Sequence, residues 1–279
     1  MSEMEELNYI KDEEVAALLN DMMEFYGYDF TNYSHASIKR RINRVFFKDR
    51  FPSFAELRYR VRTDPAFLTY LVEEITVNVT EMFRDPTFYQ ALRSEVLPVL
   101  ATYPFIRIWH AGCSTGEEVY SMAIMLEEMN LLQKSIIYAT DLNQGVLERA
   151  RKGFFPLSQM QQYSQNYMLA GGQNEFSRYY SANYEYAKFR EDLGNKIIFA
   201  AHNLVTDRSF NEFQLIVCRN VLIYFNRTLQ DDVLQLFSES LDQLGYLALG
   251  SKETLKFTRV SPQFKKIEGK EKIWRKIAK

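Results

Sequence analysis

Residues 106–118 read I-R-I-W-H-A-G-C-S-T-G-E-E. Ile106, Ile108 and His110 alternate with Trp109 and Ala111, which predicts a buried strand, because β-branched and aromatic side chains suit a pleated surface. Gly112 and Gly116 bracket a small polar turn, and a helix is predicted from Glu117 with Tyr120, Ala123, Ile124 and Leu126 turned inward. A strand, a glycine turn and a helix N-terminus make a nucleotide-type site, where the backbone approaches a ligand closely and N–H groups are expected to point at it. The spacing Gly-x-x-x-Gly is not the dinucleotide fingerprint Gly-x-Gly-x-x-Gly, and Glu117 and Glu118 stand where a pyrophosphate would want no anion. A ligand with a positive group fits better. S-adenosylmethionine (SAM), with its amino group and sulfonium, is of that kind.

One strand later, Ile136-Ile137-Tyr138-Ala139-Thr140-Asp141 is a second apolar run ending in an acid. In doubly wound folds an acid at the end of the second strand takes the ribose hydroxyls. A helix cap for Leu142 onward is the plainer reading of Asp141 alone; beside the glycine turn, the ribose role leads.

Outward from this pair, residues 13–26 and 37–50 have helical apolar spacing, and 53–75 continue helical with Ser53 as N-cap and Asp64-Pro65 opening a second helix. On helix 37–50, Arg40, Arg41, Arg44 and Lys48 share a face with only Asp49 near in sequence. A solvated helix face and a dock for an acidic partner are equally good readings. The β-branched run after Glu74 breaks the helix, and Asp85-Pro86 opens another to about Leu100. The expected organisation is a helical N-terminal domain (1–72), a linker and connecting helix (73–102), and an α/β domain (103–279). Within the last, 154–195 fits no βαβ rhythm and reads as an insert with short antiparallel strands. Strands at 196–201, 213–218 and 246–250 follow, with a helix from a Thr228–Asp231 capping box to a Gly245 cap, then a hairpin over 264–277. In the usual order of such sheets the strands ending at Ala111 and Cys218 are neighbours, putting Cys113 and Cys218 near the site rim.

The 279 residues carry a net charge of −2, with 47% apolar and 25% charged residues, ordinary for a globular protein and poor for a general nucleic-acid binder. No apolar run approaches the ~20 residues that span a bilayer, and the acidic N-terminus is no signal peptide. Two distant cysteines and three scattered histidines fit neither a disulfide framework nor a metal site. The expectation is a cytoplasmic, reduced, metal-free protein.

In order along the chain, Asn78-Val79-Thr80-Glu81-Met82-Phe83-Arg84, Ala111–Ser121 with its S-T-G-E-E core, Ala139-Thr140-Asp141-Leu142, Asn203-Leu204 and Cys218-Arg219-Asn220-Val221-Leu222-Ile223-Tyr224-Phe225 resemble the SAM-dependent glutamate O-methyltransferases of chemotaxis receptors, the CheR type. The resemblance spans nearly the whole chain. It implies an all-helical N-terminal domain followed by an α/β, Rossmann-like class I SAM methyltransferase domain carrying a small inserted β-subdomain. It further implies methyl transfer to receptor glutamates with S-adenosylhomocysteine (SAH) as product. Carried over by position, Asn78, Thr80 and Arg84 contact SAM, Arg84 also serving catalysis. Gly112 belongs to the cofactor turn, Glu117 (or Glu118) holds the methionine amino group and Asp141 the ribose. Asn203 and Leu204 frame the adenine, Asn220 and Val221 line the methionine arm, and Tyr224 faces the incoming glutamate. Arg40, Arg41, Arg44 and Lys48 would dock the helical cytoplasmic region of a methyl-accepting receptor, the enzyme acting as a monomer. Val119 replaces a proline common in the family, and the tyrosine-rich insert departs from familiar members.

A glutamate carboxylate, with an unperturbed pKa of about 4.3, is ionised at neutral pH and needs no general base. The lack of a His/Cys/Ser nucleophile constellation fits that chemistry. The alternatives are SAM-dependent methylation of another protein or of nucleic acid, and a non-catalytic SAM-binding signalling module. Against nucleic acid stand the charge and the missing Asn-Pro-Pro-Tyr type motif.

Overall fold

The computed structural model describes residues 10–76 and 80–277. The chain divides into two compact units, Met1–Val77 with Tyr224–Gln230, and Asn78–Ile223 with Asp231–Lys279.

The first unit is helical: α1 Asp12–Tyr26, α2 His35–Lys48, α3 Phe54–Thr63 and α4 Pro65–Ile75. Val15, Leu18, Met22, Ile38, Ile42, Val45, Leu57, Val61 and Leu71 close its core. Both expected caps form. Ser53 Oγ accepts from the Glu56 N–H at 3.2 Å, and Asp64 Oδ1 accepts from Ala66 and Phe67 at 3.0 and 3.1 Å, with Pro65 at the first position. Asp21 is buried between Arg58 (2.6 Å) and Arg62 (2.5 Å). Residues 224–230 belong here: the Ser34 N–H donates to the Tyr224 carbonyl at 2.7 Å, and the rings of Tyr33 and Phe225 lie 4.8 Å apart.

The second unit is built on a seven-stranded mixed sheet, order β6-β2-β1-β7-β8-β10-β9. Its strands are β1 Ile106–Ala111, β2 Ser135–Asp141, β6 Ile197–Ala201, β7 Phe213–Cys218, β8 Leu241–Leu249, β9 Phe264–Lys266 and β10 Ile273–Lys276. The first five in that order pair in parallel, and β10 runs antiparallel to both neighbours, a Rossmann-like arrangement with a closing hairpin. The register Trp109↔Ile216 and His110↔Val217 brings the ends of β1 and β7 side by side, as expected. The helix from Pro86 comes in three pieces, α5 Pro86–Ala91, a π turn Leu92–Val96 and α6 Leu97–Leu100. Pro98 has no N–H for the carbonyl four residues back, which favours the wider turn before it. Helices α7 Glu117–Glu128 and α8 Gln144–Lys152 follow β1 and β2.

Two expectations fail near the last helix, α10 Arg227–Ser240. Its start is capped by Asn226, whose Oδ1 accepts from the Leu229 N–H at 2.9 Å, not by Thr228. It stops before Gly245 because Leu241 already pairs with Phe213 in β8, and the strand absorbs a register irregularity next to Leu244 (φ +63°).

The insert holds the expected antiparallel strands, β3 Phe154–Pro156, β4 Tyr180–Asn183 and β5 Tyr186–Phe189, and also a helix, α9 Met160–Leu169, that the sequence reading missed. Its aromatic residues divide: Phe155, Tyr163, Tyr167, Phe176, Tyr179 and Phe189 are buried together, whereas Tyr184 and Tyr186 at the β4–β5 turn are exposed. Beneath them Glu128 accepts from Tyr167, from Tyr179 Oη at 3.0 Å and from Arg93 at 2.6 Å, which fastens the insert to the end of α7. Among the described residues no helix is long and apolar enough to cross a membrane, and no acid, His and Cys side chains gather as a metal site.

Candidate active site

The turn after β1 takes positive φ at Gly112 (+73°), Ser114 (+51°) and Gly116 (+94°). A Cβ on Gly112 would lie 2.5 Å from Val221 Cγ2, so the closeness of this turn to the loop after β7 requires glycine. The N–H groups do not point outward as expected. Gly112 and Cys113 donate to the Thr140 carbonyl at 2.8 and 2.9 Å, and Ser114 donates to Asp141 Oδ2 at 2.8 Å. The turn spends its donors on β2 and presents carboxylates instead, the opposite of an anion cradle. Asp141 Oδ1 takes the Asn143 N–H at 3.0 Å, and Asn143 itself caps α8. Cys113 and Cys218, at the ends of neighbouring β1 and β7, are free thiols, and both are buried.

The two glutamates at the start of α7 differ sharply. Glu118 is ion-paired with Arg219, a guanidinium that also meets Asp85 at 2.5 Å and stacks 4.1 Å from the Phe88 ring centroid. Glu117 is buried and accepts from Thr115 Oγ1 at 2.6 Å. Burial pushes its carboxyl up to about 7, against the pull of the Thr115 hydrogen bond. A cationic group beside it would relieve that cost. Nearby Ser114 Oγ is buried with no hydrogen-bond partner among the described residues.

Residues 80–85 carry positive φ at two non-glycine positions, Phe83 (+53°) and Asp85 (+56°). Three side chains hold that shape: Asn166 Nδ2 donates to the Met82 carbonyl (3.0 Å), the Phe83 N–H donates to Ser121 Oγ (2.9 Å), and Arg219 Nη1 donates to the Arg84 carbonyl (3.2 Å). Thr80 is half-buried. Asn78 lies outside the described residues.

Beyond β7, Asn220 (φ +61°) and Val221 ride on a loop fixed by Glu253. That buried carboxylate accepts the N–H groups of Val221 (2.9 Å) and Leu222 (2.8 Å) on Oε1, and of Asn220 (3.1 Å) and Gly250 (2.6 Å) on Oε2. Two residues past β6, Asn203 Oδ1 accepts from the Val205 N–H at 2.9 Å, which shapes the bend carrying Leu204. Tyr224 falls in the first unit.

Also in that unit, the basic face of α2 is less lopsided than its sequence suggests. Glu74 of α4 pairs with Arg44 at 3.0 Å and Lys48 at 2.9 Å, and its carbonyl takes Arg41 Nη1 at 3.4 Å. Arg40 is exposed to solvent. Glu74, Ser121, Asn166, Arg219 and Glu253 were not singled out from sequence. Arg219 sits inside a quoted motif, but its partners are distant in the chain.

A family model described as the CheR methyltransferase SAM binding domain matches residues 78–273, and one described as the CheR methyltransferase all-alpha domain matches residues 12–76. The chain belongs to the CheR methyltransferase family. It is 48% identical over 265 residues to the putative methyltransferase Cher3 of Pseudomonas putida, covering 95% of this chain and 97% of the relative. It is 34% identical over 231 residues to the chemotaxis protein methyltransferase of Listeria monocytogenes, covering 82% and 85%. Against the chemotaxis protein methyltransferase 1 of Pseudomonas aeruginosa the identity is 30%, covering 78% and 81%. This CheR protein is therefore a SAM-dependent methyltransferase with a Rossmann-like domain behind an all-helical one. Its site suits SAM on its own terms: a buried acid raised toward neutrality, an orphan Ser114 hydroxyl, and a turn too close to Val221 for any side chain at residue 112.

Proposed function

We propose that this CheR methyltransferase esterifies glutamate side chains in the helical cytoplasmic region of a chemotaxis-type receptor, working as a cytoplasmic monomer with no role for nucleic acid. The observation that carries the reading is the division of labour between the two adjacent acids, Glu118 in an ion pair and Glu117 left for a cation. Glu117 holds the methionine amino group. Asp141 takes the ribose hydroxyls with the acceptor capacity that its backbone contacts leave on the two oxygens. Gly112, Asn220 and Val221 line the methionine arm, Asn203 and Leu204 the adenine. Thr80 and Arg84 contact SAM from the fastened strap, joined by Asn78. Tyr224 faces the acceptor.

Bound SAM supplies an activated methyl on a sulfonium. The acceptor carboxylate arrives ionised, so the protein's task is to strip its water and align it. Attack of an anion on a cation disperses charge, and a dry site favours that change. Arg40, with Arg41, Arg44 and Lys48 behind it, meets the acidic receptor surface, and the insert gives a secondary contact. Incubation with methyl-labelled SAM and host membranes tests this: a receptor-sized band should take base-labile label. Label in nucleic acid, or none with SAM bound, would overturn it.

A further inference from the structure

We infer that Glu253 is a positioning residue for cofactor binding, acting through the backbone of residues 220–222; the inference rests on the reading that Asn220 and Val221 line the methionine arm. Glu253 is buried, 5% exposed, and lies 31–33 residues along the chain from the loop it holds. Its two oxygens divide four N–H donors, Val221 and Leu222 on one and Asn220 and Gly250 on the other. Three consecutive donors converging on one acid make a fixed anchor for a loop that includes a non-glycine residue at positive φ, Asn220. The neighbouring positions are shaped to the same end. A Cβ at Gly250 would stand 2.8 Å from Glu253 Oε2 and 2.9 Å from the Asn220 nitrogen, so the strand end has no room for a side chain. Val221, once placed, meets the glycine turn at Gly112. Glu253 thereby sets the spacing between the turn after β1 and the loop after β7 without touching the reactants.

The two halves of the carboxylate make the inference testable with an isosteric change. Glu253→Gln retains volume but turns one oxygen into an NH2 facing two N–H donors, so one pair of anchors is lost. The expected result is SAH binding weaker by about tenfold or more, SAM KM rising more than kcat falls, and faster amide exchange confined to 220–222 and 250. A purely packing role would move none of these. Gly250→Ala, which displaces the carboxylate sterically, should give the same pattern if the glutamine variant folds poorly. Val260→Ala, a buried truncation just beyond, controls for general destabilisation and should leave SAH affinity in place. Unchanged affinity in Glu253→Gln and Gly250→Ala overturns the inference. If Asn220→Ala also binds SAH normally, the assignment of the loop to the cofactor has failed; if Asn220→Ala binds weakly, only the role of Glu253 has.

Discussion

Glu118 and Arg219 form an ion pair whose guanidinium is almost fully enclosed, whereas Glu117 makes, among the described residues, no ion pair at all. Adjacent acids in one motif therefore do different work. Glu118→Gln should cost about 3 kcal/mol in chemical denaturation, because it strands part of the charge of Arg219, with Asp85 remaining as partial compensation. Glu117→Gln should change stability by under about 1 kcal/mol and weaken SAH binding about tenfold or more. The reverse pattern in calorimetry and denaturation would exchange their roles.

The raised carboxyl of Glu117 gives the site a pH signature. A ligand ammonium favours the ionised acid, so SAH affinity should fall as pH drops through about 7. Binding near neutrality should release a proton, visible as a buffer-dependent heat. The unliganded protein carries the opposite sign. Its folded form holds this proton more tightly than the unfolded chain, whose ordinary value is 4.5, so this group's contribution to stability falls as pH rises from 4.5 toward 7. Glu117→Gln should abolish both effects, and a profile unaltered by that change would reassign them.

Gly112→Ala adds a methyl 2.5 Å from Val221 Cγ2 at a residue with φ +73°. The left-handed backbone alone costs about 1–2 kcal/mol, and the overlap about 1–3 kcal/mol more. In the double variant with Val221→Ala the overlap is relieved but not the backbone strain. A mutant cycle should show coupling of about 1 kcal/mol or more; strict additivity would mean the turn and the loop are not in contact.

On α2 the counterion Glu74 makes Arg40 the most telling single position. Arg40→Glu with Arg44→Glu should slow methylation of a receptor fragment severalfold in low salt, leaving SAH affinity intact. The wild-type rate should itself fall with salt, since exposed charges are screened within about 8 Å at physiological ionic strength. Equal rates for the double variant and the parent would reduce this face to a solvated helix surface.

Much of the fold was legible where the signal is local. The caps at Ser53 and Asp64, the strand–turn–helix of 106–128 and the irregular insert rest on periodicity and turn chemistry within a few residues. What escaped depends on partners far along the chain. Glu253 looks like an exposed acid after a strand until three amides from 220–222 converge on it, and Glu74 reads as a helix-end charge until Arg44 and Lys48 meet it. Nothing in the local sequence tells Tyr167 and Tyr179, which close on Glu128, from Tyr184 and Tyr186, which stay exposed. Helix α9 escaped because its apolar positions answer to this aromatic interior and to Asn166, which faces the Met82 carbonyl.

The three side chains that clasp residues 82–84 come from α7, from α9 inside the insert and from the end of β7. With Phe83 and Asp85 both in a backbone form that their own side chains disfavour, the strap borrows its shape from elsewhere. Grafted alone into another Rossmann-like domain, residues 80–85 would transfer their letters and lose their geometry. The heritable unit is a scattered set, and Ser121, Asn166 and Arg219 must travel with it.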